Sequence, residues 1–317
     1  MTDLLQNLLK DVHTVGISGH IHPDGDCVGS VLGLSLYLKQ NFPMLKVHPY
    51  LESIGKSYQL LNGLECIDTG YHFPKEPFDL FISLDCGSID RLGNAVEAFQ
   101  SAKKKVAFDH HITNTHFADE NYVDGSASST CEVLFGYMEP ERIELPVAEA
   151  LYLGIVHDTG VFKYSCTSEK TMNIAGFLMS KGINTAELID RSFYLMTFLQ
   201  LKTSGYALNK AELSLGGKMS STVLTLQDLE RLGATAADTE SIVNSLRTVE
   251  GVEAAVFIRE DAPSTYKFSL RSNGKVDVSA ISAAFNGGGH KLAAGFTATG
   301  NLDEIFTQVS AMIMLQL

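Results

Sequence analysis

At 317 residues the chain is long for one compact core and of natural length for two. A hydrophobic fraction of 45% with 19% charged residues excludes a disordered polypeptide. A net charge of −13 argues against non-specific binding to long nucleic acid, which needs basic surface. Five cysteines with no C-x-x-C spacing cannot all pair within the chain and offer no zinc knuckle, so a reducing cytoplasm is the expected location. Residues 1–10 carry acids and amides without the apolar run of a signal peptide. No stretch approaches the roughly 20 apolar residues of a membrane span, so no membrane partner is expected.

The first part alternates strands and helices. Residues 15–19 read as a short apolar strand, followed by a loop and a helix over about 27–41. In that helix Val28, Val31, Leu32, Ser35 and Leu36 share one face. Residues 47–51, 80–84 and 106–108 read as further strands. The alternation predicts an α/β fold with a doubly wound, mainly parallel sheet, whose site lies at the carboxyl ends of the strands. His20, Asp85 and Asp109 each directly follow such a strand. From residue 128 the pattern turns helical. Pro146 opens a helix whose Val147, Ala150, Leu151, Gly154, Ile155 and Asp158 share a face, and residues 168–181, 185–193 and 197–213 also read as helical. Gly216-Gly217 breaks the run. Beyond it come a strand (218–226), a helix (239–249), two strands (254–259 and 266–272), a helix, a glycine-rich loop, a strand and a closing helix. The expected organisation is a first domain over 1–194, a helical linker over 195–216, and a smaller α/β domain with a mixed sheet over 217–317.

Four motifs carry chemistry. His20-Ile21-His22-Pro23-Asp24-Gly25-Asp26 places imidazoles and two carboxylates in a bend shaped by Pro23 and Gly25, although either aspartate also suits the cap of the next helix. Asp85 closes an apolar strand, a position shared by site residues and turn starters. Asp109-His110-His111 follows another strand. Asp158 resists a structural explanation best. It lies on the apolar face and at the carboxyl end of its helix, where burial and the helix dipole both disfavour an anion and a nearby cation would relieve both. His157 faces elsewhere and reads as packing.

Together Asp24, Asp26, Asp85 and Asp158 with His20 and His110 form a mixed oxygen and nitrogen donor set. Such a set suits two hard divalent ions, manganese first, with magnesium or cobalt as alternatives. Four carboxylates offset two such ions and leave a near-neutral site, which would benefit from extra cationic groups to hold a phosphate. Candidates are Arg271, which can meet phosphate bidentately, and the run Gly287-Gly288-Gly289-His290, whose backbone N–H groups can approach an anion. In residues 126–130 the hydroxyls, Ser128 and Ser129 among them, suit either a substrate contact or a helix start.

This ordered set resembles the DHH phosphoesterase family, and the glycine run with Ala293-Ala294-Gly295 resembles that family's associated C-terminal domain. The resemblance extends from about residue 12 to the last residue. It implies one metal held by His20, Asp24 and Asp85 and another held by Asp26, Asp85, His110 and Asp158. Chain length sets the sequence apart from the family's large single-strand DNA exonucleases. The lack of a Ser-Arg-Lys-Lys-Gln signature sets it apart from the family's pyrophosphatases. What remains is similar to the bacterial group that degrades very short RNAs (nanoRNA, pApA) and dephosphorylates 3′-phosphoadenosine 5′-phosphate. The expected activity is therefore two-metal hydrolysis of short oligoribonucleotides and that nucleotide to mononucleotides. His111 is expected to donate a proton to the leaving oxygen or to hold a non-bridging one, with Asp109 orienting the neighbouring imidazoles and residues 195–216 acting as the hinge of a closure. Alternatives are a cyclic di-AMP phosphodiesterase, a nucleotide sensor without turnover, and an RNA-binding module. The partner is a short oligonucleotide or nucleotide, and a homodimer is compatible with the resemblance.

Overall fold

The computed structural model describes residues 3–317, so residues 1 and 2 of the opening segment and of the first expected domain lie outside the described residues. The chain divides into two compact units after Leu195. Residues 196–216, expected as a linker, group with the second unit.

In the first unit, strands β1 (Thr14–Ser18), β2 (Lys46–Tyr50), β3 (Leu80–Leu84), β4 (Lys104–Asp109) and β5 (Glu120–Val123) form one sheet in the order β2-β1-β3-β4-β5. Every pair in it is parallel, as the alternation of elements predicts. The strand order reverses between β1 and β3, and at such a switch point the flanking loops part and leave a crevice at the strands' carboxyl ends. The apolar runs of β1 and β3 are buried on both faces, which is what a covered parallel sheet requires.

The helices of this unit are α1 (Asp3–Leu8), α2 (Gly25–Asn41), α3 (Val96–Ser101), α4 (Thr130–Phe135), α5 (Leu145–Asp158), α6 (Glu169–Met179) and α7 (Thr185–Ile189), the last running into a π-helical turn over Asp190–Tyr194. The sequence suggests one buried face for α2 and one for α5. Both are instead buried nearly all round, because they pack on each other as well as on the core. Glycine makes that approach close. A Cβ at Gly29 would lie 2.4 Å from the Ala150 carbonyl oxygen, and one at Gly154 would lie 2.6 Å from Asp26 Oδ1. Lys103, Lys104 and Lys105 pair with Asp79, Glu120 and Asp119 at the surface, the solvated role expected of a short basic run.

In the second unit α8 (Phe198–Asn209) precedes β6 (Glu212–Ser214) and β7 (Met219–Leu224). Then follow α9 (Leu226–Leu232), α10 (Ile242–Arg247), β8 (Ala254–Ala262), β9 (Thr265–Ser272), α11 (Val278–Ala284), β10 (Gly288–His290), β11 (Ala293–Thr299) and α12 (Leu302–Met314). The sheet order is β10-β11-β9-β8-β7-β6, mixed, with β7 and β8 its parallel pair. The glycine-rich run, expected as a loop, is instead an edge strand over Gly288–His290. Gly288 pairs with Gly295 and His290 with Ala293. Its glycines serve that close approach, since a Cβ at Gly287 would lie 2.4 Å from the Gly295 carbonyl and one at Gly289 2.5 Å from that of Ala293.

Among the described residues no helix is long and apolar enough to cross a membrane. All five cysteines are free thiols.

Candidate metal centre

The loops after β1, β3 and β4 and the end of α5 converge at the switch-point crevice. Asp24 caps α2, its Oδ1 accepting from the N–H groups of Asp26 and Cys27 at 3.1 Å. The cap and the ligand readings of Asp24 therefore do not compete, because its second oxygen stays available. Asp85 sits one residue past β3 with φ of 58°, a left-handed conformation that is uncommon for an aspartate and typical of held site residues. Asp158 is the last residue of α5. Behind it Thr159 locks the turn, its hydroxyl donating to the Ile155 carbonyl at 2.6 Å and accepting from Phe162 N–H at 2.9 Å.

The side chains meet around Asp85. His20 Nε2 lies 3.4 Å from Asp85 Oδ2 and 3.6 Å from Asp24 Oδ1. His110 Nε2 lies 3.7 Å from Asp85 Oδ1 and 3.1 Å from Asp158 Oδ2. Asp26, His110 and Asp158 form one group of donor atoms within 4.8 Å of one another, and Asp85, His110 and His111 form a second. Most of these spacings are long for hydrogen bonds. The 3.1 and 3.4 Å spacings match the edges of a coordination shell, where donors about 2.1 Å from one ion stand roughly 3.0–3.4 Å apart, and the 3.6 and 3.7 Å spacings are a few tenths of an ångström longer.

The charge distribution points the same way. Asp26, Asp85 and Asp109 are buried, and no lysine or arginine among the described residues is seen in an ion pair with this cluster. Burial, reinforced by Asp85 and Asp158, pushes the Asp26 carboxyl well above its ordinary range. Burial also pushes Asp158 up to about 6, against the pull of His110. Burial opposes protonation of His20 and His110, but the surrounding carboxylates outweigh it and raise each to about 10. Without a cation the cluster thus recruits protons to balance its carboxylates. The donor set fits divalent ions, which would take the place of those protons.

Two flanking features are not apparent in the motifs. The start of α4 clamps Asp26, with Thr130 N–H donating to Oδ2 at 2.6 Å and Cys131 N–H to Oδ1 at 3.0 Å. The Thr130 hydroxyl donates to Asp85 Oδ1 at 3.1 Å, in a buried bond. Beside it Asp109 Oδ1 lies 2.7 Å from His111 Nδ1, and Asn114 Nδ2 donates to Asp109 Oδ2 at 2.6 Å. The His111 imidazole is accordingly raised, by Asp109 foremost and against its burial.

Other positions lie apart from the cluster. His22 is exposed, its backbone N–H donating to Glu52. His157 packs between the rings of Tyr58 and Phe193, its Nε2 buried without a hydrogen-bond partner and its pKa lowered to about 4 by burial. Of the two readings left open for Ser128 and Ser129, the structure shows the helix start. Both are buried, the Ser128 hydroxyl donating to Glu132 at 2.7 Å and the Ser129 hydroxyl accepting from Glu132 N–H at 3.1 Å. In the second unit Arg271 and His290 occupy one row of the sheet, each paired with Ala293, so their side chains share a face. Arg271 Nε donates to Asn244 Oδ1 at 3.2 Å.

Fold and site define a parallel α/β protein with a histidine–aspartate cluster suited to divalent metal. Residues 14–155 match the DHH family, N-terminal domain, and residues 219–314 match the DHHA1 domain. The chain is 30% identical over 290 residues to the bifunctional oligoribonuclease and PAP phosphatase NrnA of Bacillus subtilis, covering 89% of this chain and 88% of that protein. It is 29% identical over 316 residues to the protein of the same name from Thermus thermophilus, covering 96% and 91%. A crystal structure of an exopolyphosphatase-related protein from Bacteroides fragilis shares the fold, with a TM-score of 0.91 at 24% identity over 98% of this chain and 95% of that one. The chain belongs to the DHH family.

Proposed function

We propose that the protein hydrolyses phosphoester bonds in short oligoribonucleotides and in 3′-phosphoadenosine 5′-phosphate, using two manganese ions. The observation that carries this reading is the meeting of His20 and His110 at Asp85, with Asp26 and Asp158 grouped around His110, at the sheet's switch point. The names of the Bacillus and Thermus relatives support the substrate class.

In this reading His20, Asp24 and Asp85 hold one ion and Asp26, Asp85, His110 and Asp158 hold the other. When bound, the ions supply an activated water and charge neutralisation at phosphorus. His111 carries the proton that the leaving oxygen needs. Asp109 fixes its Nδ1 and keeps its pKa raised, which favours the doubly protonated ring whose Nε2–H is the donating edge. The start of α4 holds Asp26 and Asp85 in place before substrate arrives. In the second unit the Arg271–His290 row is the proposed contact for a terminal phosphate.

The test is a substrate panel of pApA, very short RNA, 3′-phosphoadenosine 5′-phosphate and cyclic di-AMP, run with manganese, magnesium and cobalt on the wild type and on Asp85→Ala. The reading predicts manganese-dependent turnover of the linear substrates and its loss in the variant. Turnover of cyclic di-AMP alone, or near-normal hydrolysis by Asp85→Ala, would overturn it.

A further inference from the structure

Four of the five thiols surround the cluster, each against a nearby backbone carbonyl. Cys27 faces that of His20 at 3.8 Å, Cys131 that of Asp26 at 3.7 Å, Cys86 that of Leu84 at 3.4 Å and Cys166 that of Asp158 at 3.6 Å. Cys27 differs from the other three in its company. Its sulfur belongs to a group with His20 and Asp85 whose donor atoms all lie within 4.8 Å of one another, and all three residues are buried. Its contact with the His20 carbonyl, at 3.8 Å, is long even for sulfur, so the sulfur is not committed to a strong hydrogen bond.

We propose that His20, Cys27 and Asp85 form a site for a thiophilic divalent ion, zinc or cadmium, distinct in its donors from the manganese centre. It shares His20 and Asp85 with that centre, and to that extent rests on the function proposed above. Nitrogen, sulfur and carboxylate oxygen are three donors of a tetrahedral zinc, leaving one position open. His20 Nε2 and Asp85 Oδ2 already stand 3.4 Å apart. Donors around one zinc lie roughly 3.3–3.7 Å apart, so a movement of about an ångström brings the sulfur in. The Cys27 S–H bond breaks as the sulfur–metal bond forms, its electron pair becoming the ligand pair and its proton passing to water, with no change of oxidation state. Manganese and magnesium prefer oxygen and nitrogen and do not recruit the thiol, whereas zinc binds such a mixed set more tightly than manganese does. A thiophilic ion here also captures Asp85, the carboxylate assigned to both ions of the hydrolytic centre. Zinc bound here would therefore inhibit hydrolysis by holding Asp85 in an unproductive shell.

The test uses the full chain loaded with one equivalent of zinc. X-ray absorption at the zinc edge is expected to show one sulfur at about 2.3 Å. In a cadmium titration, the ultraviolet thiolate-to-metal band should appear in the wild type and in Cys131→Ser. It should vanish in both Cys27→Ser and Cys27→Ala, with cadmium binding at least about tenfold weaker. A shell of nitrogen and oxygen alone in the wild type, or sulfur that persists in the Cys27 variants, would overturn the assignment. Should neither Cys27 variant fold, loss of the sulfur in Cys86→Ala, Cys131→Ser or Cys166→Ser would overturn it, and retention in all three supports it. Manganese titration of separate, zinc-free samples of the same proteins by electron paramagnetic resonance keeps the two ideas separate. Sulfur ligation without manganese binding refutes only the manganese centre. Manganese binding with a sulfur-free zinc shell refutes only the thiophilic site.

Discussion

Thr130→Val removes one hydroxyl and preserves shape, so it isolates the buried bond that this hydroxyl donates to Asp85 Oδ1 at 3.1 Å. A hydrogen bond to a charged acceptor contributes about 1.5–3 kcal/mol. Converted to an equilibrium constant, that corresponds to roughly 10- to 100-fold, the range typical for loss of a group that orients a metal ligand. The backbone donors to Asp26 come from the N–H groups of Thr130 and Cys131 and survive the substitution. The variant should therefore fold, bind manganese about 10- to 100-fold more weakly by calorimetry, and lose activity in the same proportion at limiting metal. Thr130→Ser restores the hydroxyl and should restore affinity. Manganese binding by Thr130→Val that equals the wild type would refute the claim that Thr130 positions Asp85.

The remaining expectations concern charge and the unused histidine. In the metal-free protein His20 and His110 keep their protons to about 10, against an ordinary 6.5. The folded state then holds more protons than the unfolded one across that window, so its stability is complete below 6.5 and falls as pH rises toward 10. Thermal melts without metal should show a midpoint that drops by several degrees across this range, and saturating manganese should suppress the drop. A flat profile without metal would contradict the charge balance. His157→Phe keeps the aromatic packing and removes an imidazole whose buried Nε2 lacks a hydrogen-bond partner. Ion stoichiometry should be unchanged in that variant, and loss of one ion would make His157 a ligand after all.

Much of the cluster was legible in the sequence because parallel strands are short apolar runs and their carboxyl ends are marked by the first polar residue. Asp85 after β3 and Asp109 at the end of β4 are such positions. Strand β5 was not legible, since its four residues are all half-buried and show no alternation. The glycine run was read as a loop because glycine has no side-chain pattern to betray a hairpin edge, and only the pairing of His290 with Ala293 reveals it. The α4 clamp on Asp26 uses backbone N–H groups, which leave no trace in residue identity, and the hydroxyl of Thr130 is indistinguishable in sequence from the serines beside it. The near-complete burial of α2 was hidden for a related reason. Its small residues read as breaks in an apolar face, whereas Gly29 lies where the α5 backbone comes close.

The most direct test of the central claim is a crystal of the manganese-soaked protein measured at the manganese absorption edge. The account predicts two anomalous peaks at the carboxyl ends of β1, β3 and β4, with Asp85 touching both, His20 at one and His110 with Asp158 at the other. A single peak, or two peaks that do not share Asp85, would contradict it.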